Sequence, residues 1–128
     1  MNKERLLKLA ALLDKHRDNG VRFDLADWRV EGKEKDWCGT KACAVGLACT
    51  HPEFVSDGLG LQSSWWDGFA PTYQNGDYSG WEAVQEFFDL DWESSWWLFA
   101  ASEYKGKTYG NAAARKVAKR IRQFVKNG

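Results

Sequence analysis

The segment ACAVGLAC, residues 42–49, constrains this chain more than any other. It is apolar nearly all round, and such an element belongs in an interior. Its side chains are small, so whatever surrounds it must approach closely. Thr40 is a good N-cap, and the spacing predicts a helix from Thr40 to about Cys49, entered through a Cys38-Gly39-Thr40 turn. Pro52 opens a further turn, PEFVSD, that stops at Gly58.

The remaining elements must wrap that helix. Asn2 caps a first helix whose Leu6, Leu9, Ala10 and Leu13 share one face, and Asn19-Gly20 ends it. Its charges sit among its apolar positions without a small-residue cleavage site, so it reads as a helix and not as a signal peptide. Val21–Leu25 alternates as a short extended segment, and the polar run RVEGKEKD (29–36) reads as an exposed loop. Two turn signals, Asp67-Gly68 and Asn75-Gly76, place a hairpin or ordered loop in 59–77. Ser79 with Glu82 makes a capping box for a helix to Phe88, and Asp91 caps a short helix, WESSWWLFA. The last helix spans roughly 111–126, with Ala113, Ala114, Val117, Ala118, Ile121, Phe124 and Val125 on one side. SSWW occurs at 63–66 and 94–97, but the flanks differ, so it is not a repeat. The expected fold is α+β, mainly α: about five short-to-medium helices around the buried small-residue helix, plus one small hairpin or ordered loop near 59–77. All 128 residues fit one domain, and no apolar stretch is long enough to span a membrane.

The three cysteines, Cys38, Cys43 and Cys49, suit a reducing cytoplasm. Cys43 and Cys49 on one helix are separated by about 9 Å of rise and about 120° of rotation, so they cannot share an ion. They read as small buried hydrophobes. Cys38 before a helix N-terminus would have a lowered thiol pKa, but His51 lies about 15–20 Å away at the far end of that helix. His16 would have to swing in from another helix. The amides of Gly39, Thr40 and Lys41 offer an anion site that competes with Thr40 capping its own helix.

Charge is balanced overall but segregated. Ala42–Tyr104 contains ten acids, no Lys or Arg, and six of the eight tryptophans; from Lys105 onward there are eight basic residues and no acid. Adjacent tryptophans on a strand point to opposite faces, so one of Trp65 and Trp66 is expected at the surface. The binding surface is therefore expected at Trp65, Trp66, Asp67 and Tyr73, beside Cys38, Gly39 and Thr40. It suits a partner offering positive charge beside an apolar or planar group.

The residues F-D-x-x-x-W (23–28), W-C-G-T-x-A-C-A-x-G-x-A (37–48), P-x-Y (71–73), F-F-x-L (87–90), L-F (98–99) and V-A-x-R-I-R-x-F (117–124) resemble a family of small bacteriophage and prophage proteins. The C-G-T-x-A-C-A-x-G core is its most specific piece. Many members carry His after that glycine, where this chain has Leu47, and Gly where it has Asp89. The resemblance brings no activity with it. It implies a phage accessory protein in the bacterial cytoplasm.

The expected function is thus a binding module that captures a host protein or small ligand through an acidic, Trp-rich surface. The first alternative is nucleic-acid binding through Arg115, Lys116, Lys119, Arg122 and Lys126 on the terminal helix. The second is a cysteine-dependent enzyme using Cys38, which ranks below both. No catalytic residue, metal or cofactor is assigned, and no membrane partner is expected.

Overall fold

The computed structural model describes residues 1–17, 21–34, 37–63 and 68–128, with the backbone alone for 31–34 and 37–39. The small-residue segment is buried, as its composition demands, but its helix is short. Strand β3 (Trp37–Ala42) runs through Thr40, and helix α2 (Ala44–Ala48) starts only after Cys43. Cys43 is the N-cap, its Sγ accepting from the Gly46 amide at 3.5 Å. The expected helix from Thr40, and the turn at Cys38-Gly39-Thr40, are therefore corrected to a strand.

The polar run at 29–36, expected to be a loop, contributes β2 (Arg29–Glu34). It pairs antiparallel with β3 from Arg29↔Ala42 to Glu34↔Trp37. The extended segment β1 (Val21–Phe23) lies on the other side of β3 and runs parallel to it. The 59–77 segment does form a hairpin, β4 (Leu59–Ser63) with β5 (Gly68–Tyr73), but not an isolated one. The first residues of β5 pair with β2, and its last two pair with β6 (Tyr78–Ser79). The result is a six-stranded mixed sheet in the order β1-β3-β2-β5-β4, with β6 on β5. The expectation of a mainly helical fold with one small hairpin is overturned by that sheet. Ladder bonds are made by backbone groups, which no apolar pattern in RVEGKE announces.

The helices otherwise follow their patterns. Helix α1 (Lys3–Lys15) is capped by Asn2, whose side chain accepts from the Arg5 amide, and buries Leu6, Leu9, Ala10 and Leu13. Helix α3 (Pro52–Ser56) ends before Gly58, which has φ +105°. Helix α4 (Trp81–Phe88) begins after Gly80 (φ +61°) without a side-chain cap; Ser79 belongs to β6, so the expected capping box does not form. Asp91 caps α5 (Trp92–Phe99), and a 3-10 turn (Ala101–Glu103) follows. Helix α6 (Asn111–Asn127) packs along α1 and against β1. One core joins Leu6, Leu9 and Leu13, Val45 and Ala48, Phe54, Phe87 and Phe88, Leu98 and Phe99, and Val117 and Ile121. Among the described residues no helix is long and apolar enough to cross a membrane.

The glycine of the C-G-T-x-A-C-A-x-G motif has a steric reason. A Cβ on Gly46 would stand 1.7 Å from the Trp28 carbonyl oxygen. The Cys43 amide also donates toward the Asp27 and Trp28 carbonyls at 2.9 and 3.2 Å. Helix α2 is thus pressed onto the backbone of residues 27–28, and this contact fixes Trp28.

Candidate functional site

Trp28 is the first of four tryptophans in an unbroken chain of ring contacts. Trp81, at the start of α4, meets it with centroids 4.8 Å apart at 61°. Helix α5 supplies the other two. Asp91 accepts from the Ser94 amide at 2.8 Å and so starts the helix where Trp92 and Trp96 fall one turn apart. Residues at that spacing share a face; their rings stack at 5.5 Å, and both touch Trp81, at 5.7 and 5.1 Å.

Two clefts flank Trp96. The inner one, about 290 Å³, lies between Trp28, Trp81 and Trp96 and is closed by Leu25, Phe99 and Ala100. The outer one, about 430 Å³, is lined by Trp92, Trp97 and Phe124 with Glu93 and Glu103. Trp28, Trp81 and Trp96 are half-buried, while Trp92 is 49% exposed and Trp97 40%. Large aromatic rings left at the surface beside concave space are the usual anchors of a binding interface.

The charged side chains lining the outer cleft, Glu93 and Glu103, are acidic. The hydrogen bonds to Ser94 hold Asp91 below the usual carboxylate range, so it stays ionised. The cation lying over Trp97 is held by contacts within the fold. Arg120 lies over Tyr104 and Trp97, at 3.8 and 4.6 Å, and donates to the Trp97 and Glu103 carbonyls.

No protein family, curated protein or solved structure matches this chain.

Of the residues nominated from sequence, those that are described are not gathered into this site. Trp65, Trp66 and Asp67 lie outside the described residues. Tyr73 is half-buried at the end of β5, stacked on Tyr78 and edge-on to Phe87. Thr40 lies in β3 opposite Glu31, two strands from β5. The β2–β5 register carries Tyr73 away from it. Cys38 and Gly39 are also strand residues, paired with Lys33 and Gly32. Their amides, with those of Thr40 and Lys41, thus belong to a strand and offer no helix N-terminus to an anion or a thiolate. The cysteine that does stand at a helix start is Cys43. Burial pushes its thiol up to about 12, the reverse of what a nucleophile needs. Burial also raises Cys49. Among the described residues no group of three or more His, Cys, Asp or Glu is placed to hold a metal.

The basic helix is largely committed to the fold. Arg115 donates to the Leu13 and His16 carbonyls, both at 2.8 Å, and so closes the C-terminus of α1. Arg122 pairs with Asp14, and Lys116 donates to the Lys105 carbonyl at 3.1 Å. Lys119 and Lys126 point outward as exposed residues.

The Trp-rich middle is visible in the sequence, and within it α5 carries a local signal of its own. The usable signal was the i, i+4 spacing of Trp92 and Trp96 behind a clear Asp91 cap. Trp28 and Trp81 join them only through tertiary contacts that no local pattern carries.

Proposed function

We propose that the protein is a binding module whose contact surface is the acidic aromatic face of α5, and that it takes a partner presenting positive charge beside apolar groups. The observation that carries this reading is the pair of exposed rings, Trp92 and Trp97, at an open cleft whose lining charges are Glu93 and Glu103. Exposed indoles supply contact area at low entropic cost, and the surrounding acids favour basic partners and repel nucleic acid. This keeps the function expected from sequence and moves its site from 65–73 to α5. A phage accessory protein that captures a host factor is compatible with it.

The test uses three twelve-residue peptides of equal length: arginine with leucine, arginine with serine, and glutamate with leucine. The arginine–leucine peptide should bind best, weaken with added salt, and weaken further against Trp92→Ala/Trp97→Ala. Equal binding of all three peptides, or unchanged binding by a double variant shown by circular dichroism to be folded, would overturn the reading.

A further inference from the structure

We propose that the inner cleft between Trp28, Trp81 and Trp96 is a binding site for a quaternary ammonium group. The inference deepens the reading above: it relies on that reading for the aromatic face of α5, not for a macromolecular partner. Three indoles line the space and meet at angles, 61° between Trp28 and Trp81 and 46° between Trp81 and Trp96. All three indoles line one cavity, and a cation within about 6 Å of an indole face is attracted by its quadrupole. Leu25, Phe99, Ala100 and Ala101 add apolar wall, and Cys43 and Ser102 bring a thiol-bearing and a hydroxyl-bearing residue to the lining.

The hydrogen-bonding state of the wall selects among cations. Among the described residues no charged side chain lines this cleft. Three of its backbone carbonyls are already in use: Trp28 accepts from the Cys43 amide, Ala100 from Glu103 and Ala101 from Tyr104. A guanidinium or primary ammonium would bring several N–H donors that lose water and meet few acceptors, Ser102 being the one hydroxyl residue in the lining. The chain itself shows what a guanidinium requires. Arg120 stacks on Tyr104 and Trp97 only where two carbonyls receive its N–H groups. A quaternary ammonium has no such donors, and its methyl groups bury well against indole and alkyl walls. Its charge is met by the indole rings, on a helix whose N-cap and first turn carry the acids Asp91 and Glu93. The cleft volume of about 290 Å³ leaves room for a trimethylammonium head with part of its stem.

The experiment titrates the full chain with choline, with tetramethylammonium, and with 3,3-dimethylbutan-1-ol, the neutral isostere of choline in which carbon replaces nitrogen. Tryptophan fluorescence and the indole N–H resonances are followed. Choline and tetramethylammonium should saturate in the millimolar range, and the isostere should bind at least about five-fold more weakly, because only a charged ligand gains the cation–π attraction. Trp96→Leu and, separately, Trp28→Leu should each weaken choline by about ten-fold, while Trp96→Phe retains part of the affinity. Equal affinity for the isostere would make the cleft merely apolar and overturn the proposal, as would the absence of saturable choline binding. Saturable choline binding without any peptide preference would sink the peptide-binding surface and leave this site standing. The reverse result would sink this site alone.

Discussion

Gly46→Ala puts the packing of the motif to a direct test. The new Cβ would lie 1.7 Å from the Trp28 carbonyl oxygen and 2.8 Å from its carbon. Gly46 has an ordinary helical backbone, so the damage comes from contact and not from φ. A tolerable carbon–oxygen separation requires more than about 1 Å of movement between α2 and residues 27–28, beyond what a close-packed interior absorbs freely. Overpacking of this kind costs about 1–3 kcal/mol. The movement also strains the bonds from the buried Cys43 amide to Asp27 and Trp28, at 2.9 and 3.2 Å, and a buried donor left unmet costs about 1–3 kcal/mol more. The sum is about 2–6 kcal/mol, a large part of a typical total of about 5–15 kcal/mol. Urea unfolding, read by both circular dichroism and tryptophan fluorescence, should show a midpoint lowered by about 2 M, given a slope of about 2 kcal/mol/M. Gly60→Ala is the control: its nearest neighbour would be Thr72 Oγ1 at 3.4 Å, an ordinary contact, and its loss should stay below about 1 kcal/mol. A Gly46→Ala protein within about 0.5 kcal/mol of wild type would refute the reasoning, since that is the range of an uninvolved surface change.

Arg115→Ala should cost about 2 kcal/mol by urea unfolding, because it removes charged donors from the Leu13 and His16 carbonyls, whereas Lys119→Ala should change little. Ile121→Asp should leave no folded protein by circular dichroism, since Ile121 is fully buried against the α1–α6 core. Cys43 and Cys49 should resist thiol-labelling reagents at pH 8 until the chain is unfolded. Both thiols, and Tyr104, have folded pKa values raised by burial. The stability tied to them is present below their unfolded values and is lost as pH rises. The unfolding midpoint should therefore fall from about pH 9 upward, and fall less steeply in Cys43→Ala/Cys49→Ala.

What the sequence disclosed and what it hid follow from one distinction. Features written in consecutive side chains were legible. The period of Leu6, Leu9 and Leu13, the Asp91 cap and the two-sided wheel of 111–127 each became the expected helix. Features made by backbone pairing between distant segments were not. RVEGKE carries no alternating apolar face, and in its partner WCGTKA the capping signal of Thr40 points to a turn and a helix start. The same residue type is equally at home in a strand. The site divides in the same way. The clustering of tryptophan and acid was visible, but the meeting of Trp28 with Trp81 depends on α2 pressing on the 27–28 backbone, a contact written in the absence of a side chain at Gly46.

The central claim is that ligands meet this protein at the aromatic face of α5. The most direct measurement is a heteronuclear NMR titration with the arginine–leucine peptide, with the indole N–H resonances of all eight tryptophans assigned by single Trp→Phe replacements. The account predicts that Trp92, Trp96 and Trp97 shift first and furthest, while the amides of Lys116, Lys119 and Lys126 hold still. Largest shifts at Trp65 and Trp66, or along α6, would contradict it.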